Sequence, residues 1–553
     1  MFNMNTKSII AVMFFCGSCL SIFAQRDTPR DTTKKQAIDI TSTYKPVLRN
    51  SAKVNFSATN LPADTSKLVG PYTIPPQHLF YTYQPVSLKP LALATDSTPE
   101  TGIRNYIKLG FGNYSTPYAG AGFSFGDGKT ALVNLYADYI SSKGSIENQD
   151  YSRLNIKGTG SYFTNRNEIY GGIGISQQDY YLYGYDHLLH NYGRSDVLQR
   201  FQDVSIKGGI RNKDKNETGI SYNPNLEISV FSNQDKLKES SLILDAPVEK
   251  TFNDVFSIRV AAKADITSYT SENLPANVKF NNNIFQLSPE LIYANESFNF
   301  HAGVSPAWDN GKLSVLPNIY GEAQLGDRPF RLQAGLIGRF IKNTYRNLSA
   351  INPYLETMSS QLNTKETEFY GGIKTSVGKH FNFTAKAGYV SFKNLPFYIN
   401  DTALASDNKS FVVTNESSVT DLRIHADMSY ISQDKFTITG GFTFNGYTGM
   451  DDNDKAWGTV PLEITASMRW WAFKQVMLKS DFKAFSGGPY LLANNVHKTL
   501  SGAADLSAGL EFAINKNFSA WLDVNNIFNN KYERWHNYQV YGINVLGGVI
   551  YKF

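Results

Sequence analysis

The chain has 553 residues, is 18% charged and 14% aromatic, and carries a net charge of +5. So small an excess over this length leaves no electrostatic footprint for nucleic acid. With 36 Phe, 33 Tyr and 42 Gly, and hardly a helical period anywhere, the composition argues against a soluble multidomain protein.

The first predicted element is an export signal over residues 1–24. Lys7 supplies a positive charge, Ser8 to Phe23 is apolar or small, and Ile22-Phe23-Ala24 offers a small residue for cleavage before Gln25. Its apolar core is too short to span a bilayer. Both cysteines, Cys16 and Cys19, lie inside it, so the mature chain is expected to have no disulfide, thiolate metal site or cysteine nucleophile. Gly17 and Ser18 would suit a lipoprotein cysteine at Cys19, but Cys16 stands where lipidation wants a large aliphatic residue.

Residues 25–102 hold nine of the 21 prolines, from Pro29 to Pro99. Proline lacks the N–H that a sheet ladder needs, so this stretch is read as an extended periplasmic segment and not as barrel strands. Its charged start, 25–35, is expected to be disordered. Its apolar clusters, within Tyr72 to Leu93, are expected to pack inside the barrel or across its periplasmic mouth as a partial closure.

From Ile103 to Phe553 apolar residues alternate with small or polar ones over runs of ten or more positions, each ended by a turn. Ile107, Leu109 and Phe111 alternate with Lys108, Gly110 and Gly112, and Val460 to Trp470 reads the same way. Alternate side chains of a strand point to opposite faces. The runs are longer than soluble strands and match the ~9–11 residues that cross a bilayer obliquely. The expected fold is all-β: a transmembrane antiparallel β-barrel over 103–553. Threading back from Phe553 gives about 22 strands, from 538–553 to 103–112. The weakest are 240–252, which contains Pro247, and the first hairpin near Tyr114. Connections alternate between short ones, such as 164–166 and 378–379, and mostly longer ones, such as 183–199, 345–365 and 393–417. That asymmetry is expected of periplasmic turns and outer loops. Both termini are then periplasmic, in a Gram-negative outer membrane. Leu522 is expected to face lipid and Asp523 the lumen.

The end of the chain is the most specific signal. Tyr541, Ile543, Val545, Gly547, Val549, Tyr551 and Phe553 form one face, which ends on an aromatic residue. Such a strand resembles the sorting signal read by the barrel-assembly machinery. Before it stands Asn525-Asn526-Ile527-Phe528-Asn529-Asn530-Lys531-Tyr532. This stretch resembles the one preceding the last strand of TonB-dependent receptors, a family with a 22-strand barrel, and Asn525, Ile527, Phe528, Asn529, Lys531 and Tyr532 carry the likeness. The resemblance is to barrels of the kind abundant in Bacteroidota. The family places a plug domain before the barrel, and residues 25–102 are shorter than that plug and do not resemble it. Ala37-Ile38-Asp39-Ile40-Thr41 loosely resembles a TonB box.

Other candidate patches have plain explanations. Asp186, His187 and His190 lack further metal ligands at a telling distance. The run Asp451, Asp452, Asn453 and Asp454 lacks the glycine and closing glutamate of a calcium loop. Trp470 and Trp471 are read as membrane-interface aromatics. No catalytic motif stands out, so no enzyme, metal or cofactor is expected. The leading expectation is an outer-membrane channel or transport component, and the alternative is a structural or assembly scaffold barrel. The expected partners are outer-membrane lipid, the assembly machinery, and periplasmic or lipoprotein partners or TonB.

Overall fold

The computed structural model describes residues 105–553, apart from 217, 273–276, 327–328, 379, 402–406, 433–434 and 493–494. The expected signal peptide and periplasmic segment lie outside the described residues.

The main sheet has 23 segments, of which Ile220–Tyr222 and Asn225–Asn233 are two halves of one strand, so the described barrel has 22 strands. The first, Tyr106–Gly112, pairs antiparallel with the last, Asn544–Lys552, and closes the sheet on itself. Closure leaves no unpaired edge, which a bilayer could not satisfy. Strands 151–163 and 436–448 have their expected bounds.

Proline decides where the ladder is interrupted. Leu237–Thr251 keeps Pro247 in mid-strand because the neighbour gives way at the same level. That neighbour breaks at Asn223-Pro224, and the Asn223 N–H still donates to the Pro247 carbonyl at 3.2 Å. Likewise the ladder between Val278–Ala294 and Phe298–Asp309 skips from the Gln286–Ala307 rung to the Glu290–Gly303 rung, where Pro289 and Pro306 lie. At the first hairpin Tyr114 and Ser115 take φ of 55° and 50°, left-handed values that a tight hairpin turn requires.

The last strand is shorter than expected and starts at Asn544. Tyr538–Gln539 pairs instead with Glu533–Trp535 in a separate hairpin within the preceding loop.

Alternation sets the two faces. Ile107, Leu109, Phe111, Ile173 and Leu522 point outward and stay exposed as a belt for lipid tails. Asp523 points inward and pairs with Lys479 at 2.8 Å. Short turns such as 164–166 and 474–475 share one end with Phe553, and the long connections 182–197, 342–363, 394–418 and 526–543 lie at the other.

Among the described residues the lumen is filled at one end only. Along Leu198–Asn212 the inward residues run from buried Gln199 and Phe201, through half-buried Asp203 and Ser205, to exposed Lys207. Phe256–Ser271 repeats the gradient from buried Tyr269 to exposed Lys263, and Val419–Ser432 from buried Val419 to exposed Asp427. Among the described residues, then, the loop end carries the core and the other half of the lumen is a solvent-accessible vestibule.

Candidate functional site

The site is the cap that fills the loop end. Its centre is the segment 342–363, which holds the helix Tyr345–Ile351. Thr344 caps the helix by accepting the Asn347 N–H at 3.1 Å. The apolar positions Tyr345, Leu348, Ile351 and Leu355 turn into one cluster with Phe201, Tyr269, Phe411, Trp535 and Tyr538. These residues come from strands and loops far apart in sequence, so only the closed barrel brings them together.

Polar groups tie this segment to the wall. Glu239, 2% exposed, accepts the Tyr345 and Arg346 backbone N–H groups and the Gln361 amide, each at 2.8 Å. Arg346 pairs with Asp203 at 2.6 Å. Lys342 reaches the Asp265 carboxylate and, at 2.8 Å, its carbonyl. The Asn363 amide donates to Asp309 at 2.7 Å and bonds Asn282. Buried charges require such partners, because an unpaired one costs several kcal/mol, of order 3–5.

The other loops close around this centre. Tyr354 stacks on Tyr538, with ring centroids 3.5 Å apart, and Tyr183 meets both edge-on. The Tyr538 hydroxyl donates to the Lys409 carbonyl. Tyr192 donates to Asp407 at 2.5 Å, and Lys409 pairs with the same carboxylate. Burial pushes the Tyr183 hydroxyl up to about 12 and the Tyr354 and Tyr538 hydroxyls well above their ordinary value. These tyrosines therefore act as neutral donors. Burial works against charge at Asp407, but the bonds from Lys409 and Tyr192 prevail and hold its carboxyl below the usual range. Under the cap a cavity of about 50 Å³ is lined by Tyr151, Tyr180, Tyr354, Trp535 and Tyr541 among others.

Below the cap, wall charges are matched across neighbouring strands. Glu366 accepts from Arg339 and from Arg423, at 2.9 and 3.0 Å. Lys483 pairs with Glu463 at 3.0 Å and Arg211 with Glu168 at 2.6 Å. Glu290 sits 2.6 Å from His301, which stacks on Tyr320.

The residues singled out from sequence are placed as follows. Val545, Val549, Tyr551 and Phe553 face outward, and Ile543, just ahead of the strand, is likewise exposed. Tyr541 does not share that face. It lies before the strand, is 7% exposed, stacks on Tyr114 and donates to the Gln149 carbonyl, because its segment belongs to the cap. Trp470 faces outward and the adjacent Trp471 inward, as neighbours on a strand must. The motif around Asn525 forms a tight turn. Asn526 and Asn529 adopt φ of 48° and 54°, and the Asn526 amide donates to the Tyr541 carbonyl at 2.8 Å. Asn529 accepts the Ile543 N–H at 2.9 Å, and Tyr532 donates to Asp505 at 2.9 Å. Asn525 ends its strand, Ile527 and Phe528 lie exposed on the outer side, and Lys531 is in water. The His187 ring lies tilted against Tyr185, with centroids 4.2 Å apart, and His190 stacks on Tyr192. The acidic tip uses its backbone: the N–H groups of Asp451, Asp452 and Asn453 wrap the buried Glu416 carboxylate at 2.7–3.0 Å. Among the described residues no group of three or more His, Asp or Glu is arranged to hold a metal.

Glu239, Glu416, Tyr354, Trp535 and Tyr538 were not expected from sequence. The recurrence of Tyr345, Leu348, Ile351 and Leu355 at three- to four-residue steps was the one signal of a buried helix inside a loop.

No family model matches the chain, and no curated protein is similar to it in sequence. Solved structures do match in fold. The FrpB iron transporter from Neisseria meningitidis aligns with a TM-score of 0.62 and 10% identity, over 81% of each chain. The siderophore receptor PirA from Acinetobacter baumannii gives 0.61 and 11%, over 81% of this chain and 80% of that one. The ferric enterobactin receptor PfeA from Pseudomonas aeruginosa, as a mutant, gives 0.60 and 12%, over the same shares.

Proposed function

We propose that the chain is an outer-membrane transport barrel whose outward mouth is shut by its own loops and opens when the segment 342–363 leaves the wall. The observation that carries this reading is the burial gradient: a packed cap over a charged, solvent-accessible vestibule. A barrel of 22 strands has a lumen too wide for its own wall side chains to fill, so a closing element controls passage. The fold is shared with proteins described as an iron transporter and siderophore receptors, which makes an iron chelate the first solute class to test. In this reading residues 1–24 are an export signal, 25–102 a periplasmic arm for a periplasmic or lipoprotein partner or TonB, and both termini are periplasmic. The outward face from Val545 to Phe553 is the strand read by the assembly machinery.

A scaffold role is the second reading, favoured by Leu188 and Leu189. They stand 96% and 76% exposed on a turn braced by Asp186 and by the His187–Tyr185 ring contact. Planar-bilayer conductance separates the two. Deleting 345–360 from the full chain should raise conductance several-fold. Unchanged conductance, together with loss of a co-purifying protein on Leu188→Ser and Leu189→Ser substitution, would replace transport by the scaffold role.

A further inference from the structure

The outer wall carries an arrangement that the transport reading does not use. Strands Thr364–Val377 and Phe381–Lys393 pair so that Lys365 stands directly opposite Lys393. Both point outward, because the intervening Glu366 and Phe392 point into the lumen. Lys393 is exposed and Lys365 half-buried. Like charges directly opposite each other on a sheet destabilise it. An anion lying between them would remove that cost.

No anion among the described residues does so. Neither lysine has an ion-pair partner among the described residues. The acids of these strands, Glu366 and Glu368, face the lumen, and so does Asp421 on the next strand. The outward positions of the flanking strands Phe330–Ile341 and Val419–Ser432 carry no carboxylate.

What lies beneath the lysines identifies the partner. Stepping two residues at a time toward the membrane, the pairs are Lys365–Lys393, Thr367–Ser391 and Phe369–Tyr389. Phe369 and Tyr389 are each 63% exposed and begin the apolar belt that runs on through Ile373 and Ala385. Paired exposed aromatics mark the level where lipid tails give way to headgroups. Four residues of strand rise about 13 Å, less after tilt, which puts the ammonium groups at headgroup depth with two hydroxyls between.

We propose that Lys365 and Lys393, with Thr367 and Ser391 below them, seat the phosphate of a phosphorylated lipid headgroup whose acyl chains lie against Phe369 and Tyr389. Each lysine near an anionic membrane surface contributes on the order of 1 kcal/mol, roughly fivefold, so the pair is worth roughly 30-fold in lipid retention.

The test uses the full chain in nanodiscs of phosphatidylcholine doped with diphosphorylated lipid A. Bound lipid is counted by native mass spectrometry and stability by thermal unfolding. The Lys365→Gln/Lys393→Gln variant should retain roughly 30-fold less lipid A. In pure phosphatidylcholine it should be as stable as the wild type or more so, because the repulsion is gone, and lipid A should raise the midpoint of the wild type alone. Dephosphorylated lipid A should bind both proteins equally. Equal retention of the phosphorylated form would overturn the proposal. Displacement by millimolar inorganic phosphate would overturn the lipid assignment in favour of a free-anion site. Both leaflets carry the probe, so a negative result bears on the site whether or not the transport reading holds.

Discussion

Glu239, on the barrel wall, accepts the backbone N–H of Tyr345, the first helical residue inside the mouth, at 2.8 Å. The helix at the centre of the cap is therefore anchored to the wall at its first turn. Replacing Glu239 with alanine leaves that N–H and the Arg346 N–H buried without an acceptor, at about 1–3 kcal/mol each. The expected outcome is a barrel that still folds, with faster proteolysis at 342–363 and larger conductance. Wild-type proteolysis and conductance in this variant would mean that Glu239 does not hold the cap.

The two faces of the last hairpin can be separated by charge. Leu522, outward and 43% exposed, should tolerate arginine poorly, at about 2–4 kcal/mol in vesicle refolding titrations. The simple expectation that the inward neighbour Asp523 tolerates arginine well does not survive its geometry, because Lys479 lies 2.8 Å away. Asp523→Arg should be costly as well, and Lys479→Asp in the same chain should restore most of the loss. Lys263→Arg, exposed in the vestibule, should cost little. A Leu522→Arg variant that refolds like the wild type would show that this face does not meet lipid.

Glu416 gives the cap a pH limit. Burial works against its charge, but the Asn453 amide and the N–H groups of Asp451, Asp452 and Asn453 outweigh burial and lower its folded pKa. A lowered folded pKa means the hold is complete above the unfolded carboxylate value and is lost as pH falls through the folded value. Hydrogen-exchange protection of 451–453, corrected for intrinsic rates, should therefore stay constant from neutral pH and fall only below the ordinary glutamate range. A loss of protection above the ordinary glutamate range would contradict this assignment.

Sidedness follows from the loops. Both native cysteines, Cys16 and Cys19, lie ahead of residue 25, so a single cysteine can be placed in the barrel without a second one there. Leu188→Cys should react with a membrane-impermeant maleimide on intact cells, and Gly128→Cys, in a short turn at the other end, only after lysis. The opposite pattern would invert the barrel.

Much of this architecture is readable in the sequence because a strand repeats its facing every two residues. The alternation of Ile107, Leu109 and Phe111, or of Val545 and Val549, fixes strand and face together. Pro247 made its strand look doubtful, since the compensating gap at Asn223-Pro224 belongs to another strand. The cap was illegible for a different reason. Tyr354 and Tyr538 are joined only by closure, and nothing in either loop alone names its partner. Val460, Tyr541 and Trp471 were placed on the lipid face or its border by continuing an alternation past the point where the strand stops or bulges. Val460 and Tyr541 are buried, and Trp471 faces the lumen beside an irregular register.

The pairing of Tyr106–Gly112 with Asn544–Lys552 has a consequence for how the molecule is made. Asn113 bonds the carbonyl of Ile543 across 430 residues of chain, so the rung that completes the ring joins its two most distant segments. Until Asn544–Lys552 pairs with Tyr106–Gly112, the sheet keeps two unpaired edges beside its apolar outer face. Closing so long a loop is slow, and contacts of that range reward the chain only after the entropy has been spent. A barrel truncated before Asn544 should persist as an aggregating ribbon and not as a smaller ring, which makes the Asn544–Lys552 strand the point at which the ring is committed.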